Sequence, residues 1–90
     1  MDREALEKKV LEVLEQACGD PRVSREPDLD LYGEGLLDSL AWIQLLEGLE
    51  DAFGIQLWPT QVSLEETATP RRVAALVLSR LAGQGPRPTT

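Results

Sequence analysis

The chain has 90 residues, a formal net charge of −7 and 42% hydrophobic residues. A sequence of this length and composition forms one small globular domain with room for a single core. The negative charge argues against nucleic-acid partners and anionic membrane surfaces, which both attract basic residues. No stretch approaches the roughly 20 apolar residues needed to span a bilayer, so we expect no direct membrane insertion.

Histidine is absent and Cys18 is the single cysteine. The absence of histidine removes Ser-His-Asp and Cys-His nucleophile pairs, and one cysteine makes neither an intrachain disulfide nor a zinc site. Residues 1–9 lack the apolar run of a signal peptide. We therefore expect a cytoplasmic protein without a metal site, in which Cys18 is a small buried residue.

The first element in chain order is an amphipathic helix over residues 2–18. Asp2 is the predicted N-cap, while Gly19 and Pro21 end the helical pattern. The apolar positions recur at helical spacing. They are Leu6, Val10, Val13, Leu14 and Ala17.

Residues 20–38 predict a long loop, because prolines and glycines interrupt any helical period. Its leucines are expected to hold it against the core: Leu29, Leu31, Leu36 and Leu37. A second helix follows over residues 39–53 and ends at Gly54. Its apolar stripe, which assigns Trp42 to the core, consists of Trp42, Leu45, Leu46, Leu49 and Phe53.

A short helical turn is predicted over residues 63–67. Thr69 and Pro70 form a typical helix start, as N-cap and first helical residue, and the last helix should run to about Leu81. The fold expected is an all-α small four-helix bundle of three main helices and one short helix. The domain should span residues 1–82, and residues 83–90 form a tail predicted to be disordered.

The segment of residues 30–40 reads DLYGEGLLDSL, and it leads directly into the acidic second helix. Followed by the Thr69-Pro70 helix start, this pattern resembles the carrier-protein family, which includes acyl, peptidyl and D-alanyl carrier proteins. The resemblance covers about residues 3–81 and favours the D-alanyl group. Ala41 and Gln44 stand where fatty-acid carriers typically have acidic residues.

The resemblance implies that Ser39 is modified with 4'-phosphopantetheine, with Asp38 and Leu40 in the same binding site. It implies that Asp38 helps a phosphopantetheinyl transferase to bind its metal and coenzyme A. A serine at a helix N-terminus also lies near free backbone N–H groups that favour a phosphodiester anion. The alternative is that Asp38 or Ser39 only caps the helix, although Trp42 stands where a capping box needs Glu or Gln.

The second helix offers an acidic side as a candidate docking surface for partner enzymes. Helical spacing places on or beside it Leu40, Ala41, Gln44, Glu47, Gly48, Glu50 and Asp51. In the family, this side meets basic patches on synthetases and transferases. The alternative is an ordinary solvated acidic face.

The function implied is that of a monomeric carrier, not itself an enzyme, that holds an aminoacyl or acyl group as a thioester. Its partners would be a phosphopantetheinyl transferase, an adenylating ligase that loads the cargo, and a downstream transferase or synthase. D-alanine for teichoic acid alanylation is the favoured cargo. Alternatives are a peptidyl, polyketide or fatty-acid carrier, and, in another class, an unmodified acidic helical adaptor.

Overall fold

A computed structural model describes residues 2–84. It contains three α-helices, α1 (Arg3–Cys18), α2 (Ser39–Phe53) and α3 (Pro70–Ser79). The predicted short helix is a 3₁₀ turn at Leu64–Thr67. Residues 2–84 contain no β-strand. The structure thus confirms the expected all-α bundle of three main helices and one short helix.

The ends of α1 are set by side-chain and glycine caps, as the sequence predicts. Asp2 lies just before the helix, and its carboxylate accepts a hydrogen bond from the backbone N–H of Ala5 at 2.7 Å. At the other end Gly19 adopts a left-handed conformation with φ 70°, and its N–H donates to the carbonyl of Glu15. A residue with a side chain would be strained at that φ, so the glycine stops the helix.

The last helix is shorter than predicted. Thr69 caps it by accepting a hydrogen bond from the N–H of Arg72 at 3.2 Å, but the α-helix ends at Ser79 rather than near Leu81. A wider π-type turn, Arg80–Gln84, follows it and contains Gly83 at φ 83°. Of the predicted tail, residues 85–90 lie outside the described part of the chain.

The long first loop is held in place by backbone hydrogen bonds to the C-terminal part of the domain. Leu31 N–H donates to the carbonyl of Ala68, and Arg71 N–H donates to the carbonyl of Pro27, both at 2.9 Å. The loop also contains a 3₁₀ turn, Pro21–Ser24, that the sequence analysis did not predict. Of its four leucines three are buried and Leu36 is partly buried.

The core lies between the apolar stripes of the three helices. Its fully buried side chains include Val10, Leu14, Leu45, Leu49, Val73 and Val77. Trp42, Phe53 and Cys18 are only partly buried against this core, so the prediction of a buried Cys18 and a core Trp42 is only partly right. Burial raises the pKa of the Cys18 thiol to about 11, with a further increase from the nearby Asp20 carboxylate.

None of the helices formed by residues 2–84 is long and apolar enough to cross a lipid bilayer.

The second loop, between α2 and α3, contains 3₁₀ turns at Pro59–Gln61 and Leu64–Thr67. The second of these begins with a capping box, in which the Ser63 hydroxyl and the Glu66 carboxylate each accept the other residue's backbone N–H. This loop runs beside the start of α2 and forms part of the candidate site.

Candidate functional site

Ser39 is the first residue of α2 and its side chain is exposed. The residue before it, Asp38, is the N-cap: its Oδ1 accepts a hydrogen bond from the backbone N–H of Ala41 at 2.8 Å. Because Asp38 fills the capping role, the Ser39 hydroxyl forms no hydrogen bond with the described residues. The hydroxyl is therefore free to react at the surface.

The backbone around Ser39 suits an attached anion. The N–H groups of Ser39 and Leu40 are the first two of the helix, and neither has a partner among residues 2–84. Free N–H groups at a helix N-terminus, together with the helix dipole, stabilise a phosphate group placed there. The local geometry thus fits a phosphodiester on the Ser39 oxygen.

A cleft opens beside Ser39 and has a volume of about 470 Å³. Its lining is mostly apolar and consists of Tyr32, Leu37, Asp38, Ser39, Trp42, Ile43 and Leu64. We call it the Ser39 cleft. Two large apolar side chains near it face solvent, Leu40 at 67% exposure and Leu64 at 61%. An arm attached at Ser39 therefore lies next to apolar side chains.

A hydrogen-bond network joins two walls of the Ser39 cleft. The Thr67 hydroxyl, which is fully buried, lies 2.6 Å from the Tyr32 hydroxyl and 3.1 Å from the indole nitrogen of Trp42. We call this set the Thr67 network. Partial burial raises the pKa of Tyr32 above its ordinary value.

Sequence reasoning did not assign Tyr32, Ile43, Leu64 or Thr67 to the site. Tyr32 belongs to the DLYGEG segment, which is part of the pattern that resembles carrier proteins, so the sequence offered a reason to place it near the site. Thr67, in contrast, is a lone threonine at the end of a short acidic turn, and nothing in its neighbourhood indicates burial. Its role depends on partners that are 25 and 35 residues away in the chain.

Four of the proposed docking residues lie exposed on one side of α2: Leu40, Gln44, Glu47 and Asp51. Among the described residues, neither Glu47 nor Asp51 forms an ion pair. Their charge is therefore open to a partner. Residues 26–70, which include all of α2, contain no lysine or arginine.

The other three proposed docking residues are only partly exposed. Gly48 faces α1, because a Cβ atom placed on it would lie 2.8 Å from Cγ1 of Val13. Glu50 is half-buried, and its Oε2 accepts a hydrogen bond from the N–H of Leu57 at 2.8 Å. Ala41 is also half-buried. The face that partners can reach is thus narrower than the seven residues named from the sequence.

The loop that leads to Ser39 is braced by an ion-pair network. Arg22 contacts Asp20 at 3.0 Å and Glu34 at 3.3 Å, which links the 3₁₀ turn of the loop to the glycine turn before Leu36. The hydrogen bonds from Arg22 hold the pKa of the Asp20 carboxyl below its ordinary value. The network restrains the loop that leads to α2.

Comparison with known proteins agrees with this geometry. Residues 8–77 match the family described as phosphopantetheine attachment site. The chain is 46% identical over 77 residues to the D-alanyl carrier protein of Abiotrophia defectiva, covering 86% of this chain and 98% of that protein. It is 38% identical over 68 residues to the D-alanyl carrier protein of Enterococcus faecalis, covering 76% and 87%.

A third relative is the D-alanyl carrier protein of Bacillus velezensis, 37% identical over 65 residues, covering 72% of this chain and 83% of that protein. The family match identifies the cofactor as covalently attached 4'-phosphopantetheine, and the free hydroxyl and N–H groups at the start of α2 fit it. The match spans α2 and α3 up to Val77. The chain belongs to the phosphopantetheine-bearing carrier proteins, within the D-alanyl carrier protein family.

Proposed function

We propose that Ser39 is the attachment residue and that the protein carries D-alanine as a thioester on its phosphopantetheine arm. One observation supports the attachment most strongly: Ser39 presents an unpaired, exposed hydroxyl at the first position of α2, while Asp38 takes over the cap. The arm supplies a thiol, which holds the aminoacyl group in reactive form. The protein itself positions that arm and its cargo rather than catalysing a reaction.

Attachment uses the Ser39 oxygen as a nucleophile toward coenzyme A. A phosphopantetheinyl transferase removes the hydroxyl proton, the oxygen bonds to phosphorus, and adenosine 3',5'-bisphosphate leaves. Asp38 lies next to Ser39 and is exposed, and only its Oδ1 accepts a hydrogen bond from the described residues, so its other oxygen is available to a metal ion bound by the transferase. Leu40, which is exposed beside Ser39, gives the transferase an apolar contact.

The side of α2 that carries Leu40, Gln44, Glu47 and Asp51 is the proposed docking face. The partners are the transferase, an adenylating ligase that loads the cargo, and a membrane or soluble acyltransferase that receives it. An acidic face whose carboxylates form no ion pair among the described residues steers partners with basic patches toward the arm. We propose that the carrier is a monomer and meets its ligase in the cytoplasm, where ATP and coenzyme A are available.

D-alanine is supported as the cargo by the relatives, which are named D-alanyl carrier proteins. The docking face agrees with this choice. Gln44 on this face and the half-buried Ala41 beside it are uncharged, so enzymes of fatty-acid synthesis that recognise acidic groups at these positions should bind the carrier weakly. The delivery of D-alanine to a cell-wall acceptor such as teichoic acid then completes the proposed role.

The proposed function is tested in two steps that use the intact chain. First, the protein is incubated with coenzyme A, magnesium and a broad-specificity phosphopantetheinyl transferase, and its mass is measured. Wild type and Ser24→Ala should each gain one phosphopantetheine, because Ser24 is an exposed serine away from α2, whereas Ser39→Ala should gain none. An unmodified wild type would favour the adaptor role instead.

In the second step the modified protein is offered D-alanine, L-alanine and other amino acids with ATP and a D-alanine-activating ligase. We expect a thioester with D-alanine that neutral hydroxylamine releases. A protein that accepts the arm but is loaded only by ligases for other amino acids, or only with acyl groups, would contradict the cargo while leaving the carrier role intact. The two steps therefore test attachment and cargo separately.

A further inference from the structure

Thr67 is the one fully buried polar residue among those described, and its hydroxyl is saturated with hydrogen bonds. The Thr67 hydroxyl oxygen lies 3.2 Å from the carbonyl oxygen of Leu64. Because a carbonyl oxygen can only accept, the Thr67 hydroxyl donates its proton to Leu64. The two remaining lone pairs then accept the hydroxyl proton of Tyr32 and the indole N–H of Trp42. One buried oxygen thus anchors three separate segments of the chain.

Those segments meet at the Ser39 cleft. Tyr32 comes from the first loop, Trp42 from α2, and Thr67 from the turn before α3. Tyr32 and Trp42 both line the cleft, whereas Thr67 lies behind them and is closed off from solvent. The two aromatic side chains can therefore not move apart without breaking hydrogen bonds to Thr67.

Breaking these bonds inside the protein is unfavourable when no replacement acceptor is present. An alkyl chain that entered between Tyr32 and Trp42 would offer no acceptor to the indole N–H or to the phenol hydroxyl. Each donor would lose its partner without regaining water. A small polar cargo at the end of the arm has no need to enter, because it stays solvated at the surface.

We propose that the Thr67 network closes the Ser39 cleft toward the core and thereby restricts this carrier to short cargo that stays outside the bundle. The inference rests on the proposed attachment of the arm at Ser39 and names the residues that set cargo size. Thr67 is a positioning residue in this account, since it acts through Tyr32 and Trp42 and does not touch the arm.

The experiment compares arms with different ends on the intact protein. A broad-specificity transferase moves acetyl- or dodecanoyl-phosphopantetheine from the matching acyl-coenzyme A to Ser39, so no ligase is needed. The melting temperature of each form is then measured, and the difference between the two forms is the readout. A chain that buries itself in the native state raises the melting temperature, whereas a chain that stays outside does not.

For wild type we expect the dodecanoyl and acetyl forms to melt within about 1 °C of each other. Thr67→Val removes the anchoring oxygen at nearly constant shape, and Trp42→Ala removes one wall. In both variants the dodecanoyl form should melt about 4 °C or more above the acetyl form. A general loss of stability would shift both forms together and leave the difference unchanged.

Two control variants separate the network from its surroundings. Thr67→Ser keeps the hydroxyl and should behave as wild type. Trp58→Ala removes the other tryptophan, which is 53% exposed and does not line the cleft, and should also behave as wild type. If Trp42→Ala fails to fold, Thr67→Val and wild type still decide the question.

Stabilisation of wild type by the dodecanoyl arm would overturn the inference, because the cleft would then already admit a long chain. The absence of any chain-length effect in Thr67→Val would overturn it as well, because the network would then not be the barrier. Failure of the transferase to modify Ser39 at all would instead contradict the proposed function. The outcomes for the two proposals are thus distinct.

Discussion

Glu50 and Leu57 are joined by a hydrogen bond from the Leu57 backbone N–H to the Glu50 carboxylate, 2.8 Å long. The bond connects the last turn of α2 to the loop beyond Gly54, and Leu57 is itself buried. An acidic residue that the helical pattern placed beside the docking face therefore has a structural role. Glu47 and Asp51 of the same helix have no such partner among residues 2–84, so charge alone does not define the docking face.

The first prediction concerns Glu50. Glu50→Ala should lower the free energy of unfolding by about 1–3 kcal/mol, because the buried Leu57 N–H loses its acceptor. Glu50→Gln retains a carbonyl oxygen in place and should cost less. Chemical denaturation measures both effects. If Glu50→Ala is as stable as wild type but loads D-alanine much more slowly, Glu50 belongs to the docking face after all.

The second prediction concerns the exposed acids of α2. The double variant Glu47→Lys/Asp51→Lys should slow loading by the ligase, with a reduced dependence on salt, and leave the helical circular dichroism unchanged. A matched double reversal on another part of the surface, Glu4→Lys/Glu26→Lys, gives the same change in net charge, and these two exposed carboxylates likewise form no ion pair among the described residues. Loading measured at low salt should be slowed by the first pair much more than by the second. Equal effects would show that only net charge matters.

The third prediction concerns the contact between α1 and α2. Gly48→Ala places a methyl group 2.8 Å from Cγ1 of Val13, a stiff β-branched side chain. Overpacking lowers the free energy of unfolding by about 1–3 kcal/mol, whereas the higher helix propensity of alanine raises it by about 1 kcal/mol. We therefore expect a net loss of stability. In a Val13→Ala background the clash is relieved, and Gly48→Ala should become stabilising. Additive effects in this double-mutant cycle would rule out the close approach.

Some features of the fold and of the candidate site could be predicted from the sequence, whereas others depend on contacts between elements that sequence patterns do not reveal. The helix caps at Asp2 and Thr69 were predicted, and the cap of α2 was narrowed to Asp38 or Ser39, because a cap is a local relation between a side chain and the next turn. The orientation of Gly48 was not, because a helical pattern does not say how close a neighbouring helix comes. The burial of Thr67 likewise depends on contacts with residues far away in the chain.

The fourth prediction separates the two roles of Asp38. Asp38→Ala should lower the free energy of unfolding by about 1 kcal/mol, because the Ala41 N–H loses its cap, whereas Asp38→Asn keeps a good capping residue and should cost a few tenths. Both variants lose the carboxylate beside Ser39. Phosphopantetheine transfer, followed by mass over time, should therefore slow in both. Transfer at the wild-type rate in Asp38→Asn would leave Asp38 with the capping role alone.

The attachment of a loaded arm at Ser39 is the central claim, and peptide mass spectrometry tests it most directly. The protein is treated with transferase and coenzyme A, then with ligase, ATP and D-alanine, and is digested and sequenced by fragmentation. We predict that phosphopantetheine bearing one alanyl group is found on Ser39 and on no other residue. An unmodified Ser39, or an arm attached at a different residue, would contradict the account.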